Sequence, residues 1–74
     1  MKITVKLFAT FRTGRFSVEE RDYPAGTTVG QVVAGLELAT ADLGIIMVNS
    51  RHVKLERELA EGDILALFPL LGGG

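Results

Sequence analysis

The first ten residues alternate in character, with one exception at Phe8. Ile3, Val5, Leu7 and Ala9 fall on one face, and Lys2, Thr4, Lys6, Phe8 and Thr10 on the other. Period two of this kind predicts a strand with one packed face and one wet face. Phe8 interrupts the polar face, either as a partner contact or as one of the single exposed apolar residues common on soluble proteins. Thr13-Gly14-Arg15 supplies a turn, with Gly14 able to take a positive φ. A second strand is expected from about Phe16 to Tyr23. Its alternation is poor, because Phe16 and Val18 agree in parity while Tyr23 does not. A bulge or an early strand end accounts for that equally well. Pro24-Ala25-Gly26 closes the hairpin unit.

The period then changes. Val29, Val32, Val33 and Leu36 stand at i, i+3, i+4 and i+7, which lines one face of a helix. Thr28 is placed as N-cap, and Gln31 three residues later completes a capping-box pattern. Gly30 and Gly35 each cost about 1 kcal/mol relative to Ala, so packing must hold this helix. Leu38 to Gly44 reads as a connection. Ile45-Ile46-Met47-Val48 is a continuous apolar run, the pattern of a strand covered on both faces. Asn49 to His52 reads as a turn into a short strand around Val53 to Leu55. Glu61-Gly62-Asp63 is a further tight turn, and the last strand runs from Ile64 to about Phe68. Pro69 lacks an amide hydrogen, so regular pairing should stop near it. Leu70-Leu71-Gly72-Gly73-Gly74 remains. The order strand, strand, helix, strand, short strand, strand predicts an α+β layer, a mixed sheet of four to five strands with one main helix on one face. Residues 1–69 are expected to form the domain and residues 70–74 a flexible glycine tail.

Composition narrows the chemistry. A chain of 74 residues fits one domain and buries only about 60% of its unfolded surface. It has no cysteine and a single histidine, His52. Disulfides, thiolate metal sites, iron–sulfur clusters and a cysteine nucleophile are thereby excluded, and no metal site or bound cofactor is expected. The net charge is −1 and no basic stripe is present, so nucleic acid is not an expected partner. The longest apolar run, Ile64 to Leu71, is too short to span a membrane, and the alternating N-terminus is unlike a signal peptide. A soluble, cytoplasmic protein is expected. The acidic run Glu56, Glu58, Glu61 and Asp63 and the scattered Lys2, Lys6 and Lys54 read as solvated surface. No nucleophile–base pair can be assembled, so an independent enzyme is not expected.

The tail carries more information. Three terminal glycines make no side-chain contacts and add nothing to a fold. Taken alone they are a frayed end as readily as a device. As a device they form a narrow strip that can thread a tight channel and deliver the terminal carboxylate. That group is ionised at neutral pH, with an ordinary pKa of about 3.3–3.7, and must be activated before it can accept a nucleophile. Phe68, Leu70 and Leu71 beside it exceed what a solvated end requires and suggest an interface.

The segment Leu59-Ala60-Glu61-Gly62-Asp63-Ile64-Leu65-Ala66-Leu67-Phe68-Pro69, followed by terminal glycines, resembles the small subunit of molybdopterin synthase. Ile3-Thr4-Val5-Lys6-Leu7-Phe8-Ala9 and the Thr28-Val29 helix start also resemble that family and its relatives, the thiamine sulfur carriers (the MoaD/ThiS family). The resemblance covers essentially the whole chain and implies a β-grasp, ubiquitin-like fold. It implies a protein cosubstrate rather than an enzyme. A ubiquitin-activating-like adenylyltransferase would use ATP to adenylate Gly74, and a sulfur donor would convert it to a thiocarboxylate. Gly72 and Gly73 would give the tail its slimness, and the large synthase subunit would receive it. Phe68 and Pro69 would fall at the partner-facing strand end, with Leu70, Leu71 and Phe8 as further contacts. Phe68-Pro69 leans to the molybdopterin branch, whereas a triple glycine also occurs among the thiamine carriers, whose partner would be thiazole synthase. A ubiquitin-like modifier, or a plain β-grasp interaction module, is the alternative reading.

Overall fold

The computed structural model describes residues 1–70, and its centre is a strand near the end of the chain. Strands β1 (Lys2–Leu7), β2 (Val18–Asp22), β3 (Leu43–Val48), β4 (Arg51–His52) and β5 (Ile64–Pro69) form one sheet in the order β2-β1-β5-β3-β4. β5 runs parallel to β1, pairing Thr4 with Ile64 through Leu7 with Leu67, and antiparallel to β3. β1–β2 and β3–β4 are antiparallel. The one α-helix among the described residues, α1 (Val29–Gly35), covers one face. Ile3, Val5 and Leu7 of β1, Leu65 and Leu67 of β5 and Val48 of β3 meet Val29, Val32, Val33 and Leu36 in the core. The expected mixed sheet with one helix is therefore present, with five strands.

The helix start forms as its sequence requires. The Gln31 amide donates to Thr28 Oγ1 at 3.2 Å, and the Thr28 amide donates to Gln31 Oε1 at 2.9 Å. Two further first-turn amides are satisfied from outside: Val29 N–H donates to Arg57 O and Gly30 N–H to Leu55 O, each at 2.9 Å. The 53–59 segment thus lies across the helix N-terminus and binds donors that the helix itself cannot use.

Several expectations change. β2 is confined to Val18–Asp22 without a bulge, so the early strand end accounts for the parity of Tyr23. β2 is exposed along most of its length. Ala9 does not continue the β1 face; it opens a 3₁₀ turn, Ala9–Arg12, that buries Phe11. The connection 38–44 contains a second 3₁₀ turn, Thr40–Asp42, and β3 begins at Leu43. The short strand lies at Arg51–His52 rather than at 53–55, where Val53 and Leu55 instead pack against the core. Among the described residues no helix is long and apolar enough to cross a membrane.

The β3–β4 turn has two residues, Asn49 and Ser50, at φ 51° and 67°. Both are left-handed, as a type I′ turn demands. Asn49 repays its conformation: its side chain donates to Asp63 Oδ1 at 2.9 Å and accepts from the Ile64 amide at 3.0 Å. Ser50 makes no comparable contact. Ser50→Gly is therefore expected to stabilise the fold by about 0.5–1 kcal/mol, since relief of left-handed strain outweighs the added chain entropy. Thermal unfolding would show a Tm about 2–8 °C higher, and an unchanged or lower Tm would show that the serine is not strained.

Candidate functional site

One helix can cover only one face of the sheet, and the strand registers determine what the other face presents. On it lie Lys2, Thr4 and Lys6 of β1, Ile64, Ala66 and Phe68 of β5, and Ile45 and Met47 of β3. Cross-strand pairing sets Ile45 beside Phe68, and Met47 beside Ala66, which in turn neighbours Lys6. Phe8, immediately after β1, stacks on Phe68 with ring centroids 4.2 Å apart and planes 10° from parallel. An apolar stripe, Phe8–Phe68–Ile45, therefore crosses the end of the sheet, and Ala66, Met47 and Ile64 extend it. Ile45 is 42% exposed and Ile64 40%. The run 45–48 is thus not covered on both faces; Val48 is buried and Ile45 is open. The signal was available in β1, because a wet face on one central strand requires its neighbours to expose half of their residues as well.

The stripe lies where β5 ends. Pro69 alternates to the helix side and is buried, whereas Phe68 faces the open side and Leu70 is 63% exposed. Of the residues proposed for partner contact, Phe8, Phe68 and Leu70 therefore present surface, and Pro69 packs inward. Leu71, Gly72, Gly73 and Gly74 lie outside the described residues.

The backbone up to Leu70 is held closely. β3 carries a bulge at Gly44: Ile45 pairs with Phe68, but Leu43, two residues earlier, pairs with Pro69 only one residue later. Leu70 N–H then donates to Asp42 O at 2.8 Å. At the opposite end of β5 the Glu61-Gly62-Asp63 turn anchors the strand. Gly62 takes φ 83° and its amide donates to Lys2 O at 2.8 Å. Glu61 Oε1 accepts from the Lys2 amide at 2.9 Å. Buried Asp63 accepts from Asn49 and, at 2.8 Å, from the Ala60 amide. This acidic turn therefore joins β1, β3 and β5 rather than forming a wholly solvated face. Burial pushes the Tyr23 phenol above its ordinary value, at the end of the sheet remote from Phe68.

Among the described residues there is no pocket, and no three His, Asp or Glu side chains converge as metal ligands. The features that remain are an apolar stripe on the open sheet face and a central C-terminal strand that ends at its rim. A helix on one face of a five-stranded mixed sheet whose central strand is β5 defines a β-grasp, ubiquitin-like protein. Residues 5–74 match the ThiS family, and the chain belongs to it. Solved structures agree. The chain is similar to a putative molybdopterin converting factor subunit 1 from Pyrococcus furiosus, at 29% identity, TM-score 0.77, 93% of this chain and 97% of that one. It is also similar to Haloferax volcanii small archaeal modifier protein 1, at 26% identity, TM-score 0.73, 92% of this chain and 95% of that one. Subunit 1 in a complex of subunits 1 and 2 of molybdopterin-converting factor from Helicobacter pylori shares the fold at 20% identity, TM-score 0.66, with full coverage of both chains. A search of curated proteins found no match.

Proposed function

We propose that this protein is a sulfur carrier that works as a cosubstrate, with the carboxylate of Gly74 as its reactive group. The observation that carries the reading is spatial: the strand bearing the glycine tail ends at the rim of an exposed apolar sheet face. One face can dock a partner while the adjoining tail enters that partner's active site. Membership of the ThiS family and the terminal glycines support the same reading.

In the proposed cycle a carboxylate oxygen attacks the α-phosphorus of ATP in a ubiquitin-activating-like adenylyltransferase. An O–P bond forms, the bond to the bridging oxygen breaks, and pyrophosphate leaves. A sulfur nucleophile at the sulfide level then adds to the acyl carbon and AMP leaves with the C–O electron pair, giving a thiocarboxylate without net oxidation. The likeness to molybdopterin converting factor subunit 1 favours molybdopterin biosynthesis as the acceptor pathway, with the large synthase subunit as second partner; thiamine synthesis is the alternative acceptor. The comparable likeness to a small archaeal modifier protein favours a second reading, conjugation of the same activated glycine to lysine amines.

Intact mass after incubation with the host's activating enzyme, ATP and a sulfur donor tests the proposal. A gain equal to the exchange of one oxygen for sulfur is expected. No gain, with lysine-linked adducts instead, would favour the modifier. The docking face has its own test. Phe8→Ala removes half of the aromatic stack from a half-buried, non-core site. It is expected to weaken partner binding by about 10–30-fold, as loss of an interface aromatic does, with a stability loss of only about 1 kcal/mol. Calorimetry showing unchanged affinity would remove Phe8 from the interface.

A further inference from the structure

Gly44 takes no left-handed backbone, so its lack of a side chain needs another reason. The reason is the end of β5. A β-carbon on Gly44 would lie 2.7 Å from the Pro69 carbonyl oxygen, 3.0 Å from its carbonyl carbon and 3.1 Å from Leu70 Cα. All three are backbone atoms, so no side-chain rotation can relieve the contact. The bulge at Gly44 shifts the β3–β5 register by one residue. Without it Leu70 would lie opposite Leu43; with it, the Asp42 carbonyl meets the Leu70 amide at 2.8 Å. Pro69 has no amide hydrogen, so among the described residues the donor at the end of the C-terminal strand is Leu70 N–H. The bulge also turns Leu43 toward the core while leaving Ile45 on the open face beside Phe68.

We infer that Gly44 and the Leu70–Asp42 hydrogen bond form a clamp that fixes the position and direction of the backbone at Leu70, the origin of the tail, and that Gly44 is a positioning residue for the terminal carboxylate. The functional half of this inference rests on the sulfur-carrier reading. Four residues reach at most about 14 Å beyond Leu70, so a shift or loosening of their origin carries through to the reacting end. Misplacement of a reacting group by about 1 Å can cost up to 100-fold in rate. Docking is carried by the open face, so the clamp should act on turnover and not on encounter.

The test uses the full chain with the activating enzyme, measuring ATP–pyrophosphate exchange as carrier concentration is varied, together with amide hydrogen exchange at Leu70. In Gly44→Ala the Leu70 amide is expected to exchange about fivefold faster, the equivalent of one lost hydrogen bond. The kcat is expected to fall about tenfold while KM for the carrier changes less than kcat does. Leu70→Pro removes the clamp's donor and leaves Gly44 in place, so it decides the matter if Gly44→Ala fails to fold. Its reference is Leu70→Ala, which loses the same side chain but keeps the amide; the proline variant's kcat is expected about fivefold lower. Unchanged Leu70 exchange in Gly44→Ala would show that there is no clamp. Faster exchange with wild-type kcat, or equal kcat in the two Leu70 variants, would show that the clamp does not position the tail. A wild-type chain that supports no exchange of label would sink the sulfur-carrier reading and the positioning role with it. Leu70 protection would then decide the clamp alone.

Discussion

Deletion of Gly74 is expected to reduce ATP-dependent thiocarboxylation by at least about 100-fold while leaving partner affinity close to that of the intact chain. The deleted chain still ends in glycine, so the carboxylate, its ionisation and its slimness are all retained. Only reach is lost, about 3.3–3.6 Å of extended chain. That distance exceeds what a bond-forming approach tolerates, and the rate should fall accordingly. Affinity should persist because Phe8, Phe68 and Ile45, on the proposed docking face, are untouched. Intact mass and a binding isotherm on the same variant separate the two effects. A deletion variant that acquires sulfur at the wild-type rate would show that the carboxylate is not delivered from a fixed origin, and would overturn the positioning role of the clamp and the requirement for Gly74 itself.

Leu67→Ala should have the largest effect on the fold. Leu67 is fully buried at the middle of the sheet, where β5 pairs it with Leu7 on one side and Ile46 on the other. Both neighbouring strands hold it, so the cavity cannot collapse readily, and the cost should be about 2.7–5 kcal/mol. A domain of this length has on the order of 4–11 kcal/mol in total. The Tm should therefore fall by at least about 10 °C, with some samples unfolded at physiological temperature. Phe68→Ala, one residue later on the opposite face, should cost much less despite removing a larger side chain, because Phe68 is only half-buried. Circular dichroism melts of the two variants compare the faces directly. Equal losses would mean that the open face is as tightly packed as the core.

The helix, its capping box and the inward face of β1 were legible because each depends on residues a few positions apart. Thr28 and Gln31 satisfy each other's amides across one turn, and Ile3, Val5 and Leu7 share a face through strand geometry alone. The terminal glycines, read from the sequence as a candidate site or a frayed end, lie outside the described residues. The Glu61-Gly62-Asp63 turn was visible as a turn, but its role was not: Asp63 reaches Asn49 and Glu61 reaches Lys2, 59 positions away.

Misreadings arose where a residue's environment is set by a distant strand. Ile45 to Val48 is uniformly apolar, and only pairing with β5 divides it into a buried Val48 and an open Ile45. Phe8 appeared to be a lone aromatic on a polar face until β5, parallel to β1, brought Phe68 against it. Phe11 was not assigned to the core because the 3₁₀ turn that directs it inward interrupts the strand period.

By itself, then, the sequence determined the order of the main elements, the helix with its cap and the inward face of β1, all of which depend on local spacing. The tertiary structure alone decided that the second sheet face carries an apolar stripe, that Pro69 turns inward, and that Gly44 must lack a side chain. Each of these follows from backbone segments brought together across more than twenty intervening residues, Gly44 against Pro69 and Leu70 most closely, and no local pattern records a contact of that range.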